Sequence, residues 1–355
     1  MPSLPLDIDL ETRAVLKKTM EASRALAELK GVALSMPNQD ILVSTLSLQE
    51  AKDSSAIENI VTTHDELYQS DTAAQQFKTV AAKEVHLYAE ALRRGFGKVK
   101  QTNLLTNNLI KSMQADLDGN NAGFRSQAGT ALKNEKTGEI VYTPPQSIDM
   151  IENYMKDLER FINQDELCEW DALVKMAIIH HQFESIHPFF DGNGRTGRIL
   201  NILYLVKEGL MDTPILYLSR YINKNKSEYY RLLQDVRDHG VWEEWVLFIL
   251  EGVRETSYQT IRLIESIKTL MLDHKVKMRT ELPRVYSQDL LNLTFSQPYT
   301  KISYVEDALR VSRPTATKYL NALVGIGLMH KFKMGRDSYY INFDLMDCLS
   351  DVNNI

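Results

Sequence analysis

Apolar residues recur at every third or fourth position along most of the chain, which is the spacing of one face of an α-helix. The pattern predicts four helices in the first third of the chain, at residues 11–34, Leu48–Glu58, 74–95 and Asn103–Leu117. Thr102 is a candidate N-cap for the last of these, and Gly119 is expected to close it. Five more helices are predicted at Ile151–Ile162, Ala172–Ser185, Arg198–Glu208, Lys226–Asp238 and Trp242–Lys268. The sequence therefore indicates a mainly α fold.

Two of these helices are apolar over most of their surface. Ala172–Ser185 is apolar nearly all round, as expected of a helix buried at the centre of a domain. Arg198–Glu208 is similarly rich in apolar residues, and Gly209 suits the position after its C-terminus. We expect both helices to lie in the core.

Two segments depart from the helical pattern. Residues Thr130–Tyr142 read as two short strands around the Gly-containing turn Asn134–Gly138, and thus as a β-hairpin. From about Pro283 the helices become short, which suggests a small separate domain after a linker near residues 270–285. Helices at Ser303–Leu309 and Thr315–Leu323 and a strand at Ser338–Ile341 look like a winged helix-turn-helix.

Composition narrows the class of protein. A length of 355 residues suggests two or three domains, and a net charge of −6 excludes a uniformly basic surface. Cys168 and Cys348 form no CxxC motif, so we expect neither a disulfide framework nor a structural zinc site, and a reducing cytoplasm fits. We see no signal peptide and no run of about 18 apolar residues, so we expect a cytoplasmic protein without a membrane span.

The candidate chemistry is concentrated in the twelve residues His187–Arg198, HPFFDGNGRTGR, between the two apolar helices. Three glycines and a helix N-terminus make an anion site of backbone N–H groups. Arg195 and Arg198 add forked donors for phosphate oxygens, and Asp191 offers a hard oxygen ligand for Mg²⁺. His187 is a proton acceptor near neutral pH. These groups suit phosphoryl or nucleotidyl transfer.

The same segment contains a misleading match. Gly192–Gly197 fits the pattern GxGxxG of dinucleotide-binding proteins, but that motif requires a preceding strand and a βαβ unit. Here a helix precedes it. The pattern GxxxxGK[ST] does not occur either, so a P-loop is not predicted.

The segment closely resembles the Fic family signature, HPFx(D/E)GNGRxxR, with every defining position matched. The resemblance covers about residues 40–260. It implies a Fic-type helical bundle with a β-hairpin flap that transfers AMP from ATP to a Ser, Thr or Tyr hydroxyl of a target protein, releasing pyrophosphate. His187 would be the base and Asp191 would hold Mg²⁺, while Arg195 and Arg198 would grip the β- and γ-phosphates. The phosphate site would be lined by Gly192, Asn193, Gly194, Thr196 and Gly197.

The resemblance also assigns the parts around this loop. Gly123–Arg125, the hairpin and Tyr142–Pro145 look like the flap, with Thr130, Ala131 and Leu132 pairing with an extended target segment. Ser219–Ile222 and Tyr229–Tyr230 resemble the nucleotide side, with Tyr230, and less firmly Tyr229, near the adenosine. Self-modification and a homodimer are expected from the family.

Ser54–Asn59, SSAIEN, resembles the family's inhibitory motif [ST]xxxE[GN]. Glu58 would then pair with Arg198 and compete with the γ-phosphate, with Ser54 as the other inhibitory residue. The implied organisation is an N-terminal helical region (1–98) with an inhibitory helix at about 48–60, a Fic core (99–270) and a winged helix-turn-helix (283–350).

Other interpretations stay open at this point. His180 and His181 invite a zinc site with His187, although successive helical residues face different sides, so a core role is favoured. A DNA-binding regulator with the Fic core as nucleotide sensor is the main alternative, with a groove-facing surface of Arg313, Thr315, Thr317 and Lys318. Residues 281–355 contain 8 basic and 8 acidic residues, which is little charge for DNA binding. Phosphate transfer and AMP removal also occur in the family; members that phosphorylate tend to have Lys at the position of Gly194.

Overall fold

The computed structural model describes residues 1–68, 70, 77–133, 137–334 and 337–350. Within them the chain is mainly helical, with fifteen α-helices and five short strands, which confirms the predicted class. The helices are α1 Arg13–Leu34, α2 Gln39–Ile57, α3 His64–Tyr68, α4 Val80–Thr102, α5 Asn107–Asp118, α6 Ile148–Asn163, α7 Ala172–Ile186, α8 Asn193–Lys207, α9 Leu218–Lys224, α10 Lys226–His239, α11 Trp242–Glu281, α12 Gln288–Ser296, α13 Ile302–Leu309, α14 Arg313–Gly325 and α15 Phe343–Ser350. The strands are β1 Leu132–Lys133, β2 Ile140–Tyr142, β3 Tyr299–Lys301, β4 His330–Met334 and β5 Asp337–Ile341. None of the described helices combines the length and apolarity needed to cross a membrane.

The first of two compact units comprises Met1–Lys30, Ser47–Val61 and Lys83–Tyr258. Helix α7 lies at its centre, packed against α6 and α8, and every residue from Leu173 to Ile186 is buried. Helix α8 is buried over nearly its whole length. The sequence prediction of a central pair of core helices is confirmed, since apolar residues on all faces of a helix are satisfied only inside a core.

The N-terminus of α5 differs from the prediction. Thr102 is the last residue of α4, and Asn103 takes a left-handed conformation with φ of 52°. Thr106 is the N-cap instead, because its Oγ1 accepts the Leu109 N–H at 3.2 Å. Gly119 closes the helix in the left-handed conformation, as predicted.

Helix α2 is longer than predicted at its start and shorter at its end. It begins at Gln39 after Asn38, whose Oδ1 accepts the Asp40 N–H at 2.9 Å, a capping signal that the sequence analysis missed. It ends at Ile57, because Asn59 turns the chain with φ of 60°. Glu58 therefore lies in a turn just after the helix and not within it.

The two predicted strands of the hairpin pair antiparallel, with Leu132 opposite Tyr142. Thr130 and Ala131 lie directly before β1. Residues 134–136 of the predicted turn lie outside the described residues, as do residues 74–76 at the start of the predicted helix 74–95.

The second unit comprises Gly31–Leu46, Thr62–Ala82 and Gln259–Ile355. It contains the predicted helices as α13 and α14 and the predicted strand as β5, which is central in the antiparallel sheet β3-β5-β4. Arg313 at the start of α14 lies 3.5 Å from Glu306 of α13, which offsets part of its charge.

The predicted linker at 270–285 is wrong over most of its length. Helix α11 continues to Glu281 without interruption. Residues 269–282 contain neither Gly nor Pro, and the first helix breaker after Lys268 is Pro283.

Candidate active site

The segment His187–Arg198 joins the buried C-terminus of α7 to the N-terminus of α8. His187 is the C-cap of α7 in a left-handed conformation (φ 49°, ψ 59°), and Gly192 is the N-cap of α8 with φ of 75°. The side chain of Asn193 holds the loop between them, because it accepts the Phe189 N–H at 2.8 Å and donates to the Phe189 carbonyl at 2.9 Å. The free N–H groups at the start of α8 thus face the same loop as His187, the arrangement of an anion site.

Two glycines in the first turns of α8 make room for carboxylates. A Cβ atom on Gly194 would lie 2.2 Å from Glu58 Oε1 and 2.9 Å from Arg198 Nη1. A Cβ atom on Gly197 would lie 2.7 Å from Glu184 Oε1 and 3.0 Å from the ring of Phe183. Both positions therefore exclude any side chain as long as these neighbours stay in place. Thr196, between them, is fully buried.

Arg198 is buried and bound by the end of α2. Its Nε donates to Ser54 Oγ at 2.7 Å, and its Nη2 donates to the Ser54 carbonyl at 3.0 Å and to Glu58 Oε1 at 2.8 Å. Burial opposes its charge, but Glu58 and further nearby groups raise the pKa of Arg198 above its ordinary value. The ion pair expected between Glu58 and Arg198 is thus present, and Ser54 joins it through two hydrogen bonds.

Asp191 lies at the open side of the loop, and Arg195, which is buried, lies beside it. Arg195 Nη1 donates to Glu84 Oε2 of α4 at 2.9 Å, and its Nη2 lies 3.8 Å from Asp191 Oδ2. Sequence reasoning missed Glu84, which sits on an ordinary amphipathic helix without a motif. The Asp191 side chain is 72% exposed and uses Oδ1 to accept the Gly192 N–H. Its exposed carboxylate fits Mg²⁺, which proteins often hold through one carboxylate together with substrate phosphates.

His187 is half-buried at the base of this loop. Burial, followed by the positive charges of Arg125 and Arg237, lowers the pKa of His187 to about 4. The imidazole is therefore neutral at pH 7 and able to accept a proton.

The aromatic residues of α10 divide into a core residue and a surface residue. Tyr229 is buried, and its hydroxyl lies 2.8 Å from His180 Nε2, so it packs in the core, and its place near the adenosine stays a prediction. Tyr230 is 44% exposed and packs edge-on against Tyr229. It remains the candidate for a nucleotide contact.

His180 and His181 belong to the core of the first unit. The His180 ring stacks on Trp245, and the His181 ring packs edge-on against the same Trp245 with its Nε2 3.2 Å from the Leu233 carbonyl. Burial lowers the pKa of each to about 3. No group of three or more metal-binding side chains occurs in the described part of the chain.

Comparison with known families matches both ends of the chain. Residues 16–97 match the model of the Fic/DOC family N-terminal domain, and residues 270–345 match that of the C-terminal domain of protein adenylyltransferase SoFic-like proteins. The chain is 30% identical over 125 residues to protein adenylyltransferase fic-1 of Caenorhabditis elegans, which is 35% of this chain and 23% of that protein. It is 26% identical over 159 residues to a probable protein adenylyltransferase of Aquifex aeolicus, which is 41% of this chain and 44% of that protein. The chain thus matches less than half of the length of either relative.

Solved structures share the fold. A Fic family protein from Desulfovibrio desulfuricans aligns with a TM-score of 0.58 at 20% identity, over 95% of this chain and 97% of that one. Fic-1 from Caenorhabditis elegans aligns with a TM-score of 0.53 at 19% identity, over 71% of this chain and 74% of that one. The solved structures thus show a shared fold, and the two family matches give the chain a Fic/DOC N-terminal domain and a SoFic-like C-terminal domain.

Proposed function

We propose that this protein is an adenylyltransferase that transfers AMP from ATP to a hydroxyl side chain of a target protein. The observation that carries the proposal is the loop His187–Arg198, in which a neutral imidazole and two arginines surround a glycine-lined helix N-terminus. The curated relatives named as protein adenylyltransferases support the same reaction.

In this proposal the hydroxyl of the target gives its proton to His187 as its oxygen attacks the α-phosphorus of ATP. The new bond joins that oxygen to phosphorus, the bond from the α-phosphorus to the bridging oxygen breaks, and pyrophosphate leaves. The N–H groups at the start of α8, with Arg195 and Arg198, stabilise the charge on the phosphates. Asp191 would hold Mg²⁺, which would neutralise further phosphate charge.

We propose that the hairpin presents the target. Thr130, Ala131 and Leu132 would pair with an extended target segment by strand addition, which would bring its hydroxyl close to His187. Tyr230 would contact the nucleotide from α10. The homodimer, self-modification and cytoplasmic location expected from the sequence remain predictions.

We also propose that Glu58 inhibits the enzyme. Its carboxylate holds the guanidinium of Arg198 at 2.8 Å, and the γ-phosphate of a productively bound ATP needs the same donors. While the pair persists, ATP would bind with its phosphates misplaced for in-line attack.

The test is incorporation of label from ATP in the presence of magnesium by the Glu58→Gly variant. Label from the α-phosphate should appear on protein and exceed that of the parent, and mass spectrometry should show an added AMP. His187→Ala should abolish it in both backgrounds, whereas His239→Ala, at an exposed histidine of α10, should not. Label from the γ-phosphate alone would show that the protein transfers phosphate and not AMP. No label on protein in Glu58→Gly would refute the proposal.

A further inference from the structure

The C-terminus of α7 has an unusually complete set of hydrogen bonds from outside the helix. The His187 N–H binds the Phe183 carbonyl at 3.0 Å, so the next four carbonyls, of residues 184–187, have no partner within the helix. Each of them accepts a side-chain donor: Glu184 from Arg237 Nη2 at 3.2 Å, Ser185 from the Tyr142 hydroxyl at 3.1 Å, Ile186 from Arg125 Nη2 at 3.4 Å, and His187 from Arg125 Nε at 2.8 Å. We call Arg125, Tyr142 and Arg237 the α7 cap.

The three members of the α7 cap come from three separate segments, and two of them contact each other. Arg125 precedes the hairpin, Tyr142 ends β2, and Arg237 lies in the last turn of α10. The guanidinium of Arg237 lies 4.1 Å from the centre of the Tyr142 ring, a cation–π contact. Arg125 also donates to the Pro145 carbonyl, just after β2. The base of the hairpin is therefore tied to the backbone of His187.

We propose that the α7 cap positions His187 for catalysis, holding its backbone at a fixed place relative to the hairpin. This rests on the proposed function, in which His187 is the base and the hairpin carries the target. A left-handed conformation is uncommon for His, and the hydrogen bond from Arg125 to the His187 carbonyl fixes it. The hairpin and the base then move as one piece, so the target hydroxyl meets the imidazole in one geometry.

The electrostatics of the site agree with this arrangement. A helix C-terminus by itself favours a protonated histidine, because its carbonyl dipoles attract positive charge. Here the guanidinium groups of Arg125 and Arg237 bind those carbonyls and lower the pKa of His187, in addition to burial. The opposing groups are Glu58, in the turn after α2, and the backbone of Glu184 on α7 itself, which raise it. The net result favours the neutral base.

The first test measures the protonation of His187 by NMR of histidine-labelled protein without nucleotide, with His187→Gln to assign its signal. We expect the signal of the parent to remain that of a neutral ring down to pH 5. In Arg237→Gln we expect its pKa to rise by about one unit, the effect of one nearby charge. Arg237→Lys, which keeps the charge, should restore the parent value. Arg231→Gln, which removes an exposed arginine from the same helix, should leave it unchanged.

The second test measures the rate of AMP incorporation against pH in the Glu58→Gly background. Arg237→Gln should shift the acid limb of the pH–rate profile to higher pH, by the same amount as the pKa of His187 rises. Arg231→Gln should not shift it. Tyr142→Phe removes the bond to the Ser185 carbonyl and a weak contact with Met1 Sδ but keeps the ring beside Arg237, so it should lower kcat about tenfold without shifting the acid limb of the pH–rate profile. An unchanged pKa in Arg237→Gln together with a parental kcat in Tyr142→Phe would overturn the proposal. Absence of any label would overturn the proposed function instead, while the NMR titration would still decide whether the cap controls His187.

Discussion

Replacing Gly194 by alanine should break the ion pair between Glu58 and Arg198, which we propose to be inhibitory, without changing either of its members. The added methyl group would lie 2.2 Å from Glu58 Oε1, far inside van der Waals contact. The Glu58 side chain is 36% exposed and the turn that carries it faces solvent, so the carboxylate has room to swing away. Arg198 is buried and keeps its two bonds to Ser54, so it is the less mobile partner. We therefore expect Gly194→Ala to expel Glu58.

The size of the effect follows from the bond that is lost. A hydrogen bond to a charged group contributes about 1.5–3 kcal/mol. Because Glu58 is partly exposed, water replaces some of this contact, and the lower end of the range applies. Since about 1.4 kcal/mol is a factor of ten, the ratio of inhibited to active protein should fall about tenfold, and AMP incorporation should rise by about the same factor while the inhibited form predominates.

The methyl group also stands beside the proposed phosphate site, so the assay is a double-mutant cycle. AMP incorporation is measured in the parent, Gly194→Ala, Glu58→Gly and the double variant, with Gly97→Ala as a control at an open helical position of α4. Gly194→Ala should raise the rate in the parent but should leave it equal or lower in Glu58→Gly, where no carboxylate remains to expel. The same fractional loss in both backgrounds would refute the reasoning, because the methyl group would then act only on the phosphates.

Three further predictions follow from buried groups and from the proposed metal ligand. Burial raises the pKa of Glu50 from 4.5 to about 7, so its stabilising contribution is complete below pH 4.5 and is lost as the pH rises through 7. Glu50→Gln should therefore gain stability relative to the parent between these values in urea titrations, and a constant difference would contradict this. Gly197→Ala should lower the free energy of unfolding by about 1–3 kcal/mol because the methyl group crowds Glu184, whereas Gly97→Ala should raise it by about 0.5–1 kcal/mol. Thermal unfolding of the two variants measures this difference, and equal shifts in their unfolding temperatures would exclude crowding. Asp191→Asn, or a chelator added to the parent, should abolish AMP incorporation in the Glu58→Gly background, and an unaffected rate would remove Asp191 as the magnesium ligand.

The sequence predicted the parts whose signals are local. The residues from His187 to Arg198 are consecutive, so a short motif identifies them. The burial of α7 can be predicted because its sequence is apolar nearly all round. Glu58 was paired with Arg198 from a six-residue resemblance, and the structure has that contact at 2.8 Å. For the loop and for α7 neighbouring positions contain the whole signal, whereas the pairing of Glu58 with Arg198, 140 residues away, comes from the family resemblance.

The partners that complete the site could not be predicted in this way. Glu84 and Arg237 lie on amphipathic helices among many other charged residues, and only the tertiary packing decides which of these charges contacts the loop or the end of α7. The same applies to Glu50 of α2, which is buried at 2% exposure and accepts the Ser219 N–H at 3.1 Å from α9. A charge in a helical pattern is usually solvated, so the sequence predicts none of these three contacts.

Gly194 and Gly197 of α8 make room beside Arg198 for two carboxylates, one partly exposed and one buried. Gly194 admits Glu58, which is partly exposed and removable, and Gly197 admits Glu184, which is buried on α7. Burial raises the pKa of Glu184 to about 7, Arg198 lowers it, and Glu58 raises it further. Removing Glu58 should therefore lower the pKa of Glu184, because one negative neighbour is lost while the guanidinium remains. Infrared titration of the carboxyl band in Glu58→Gly, with Glu184→Gln to identify it, should show ionisation at lower pH than in the parent. If the band does not move, Glu58 and Glu184 do not share the charge of Arg198. Release of Glu58 would then leave the positive charge of Arg198 to interact with the phosphates alone.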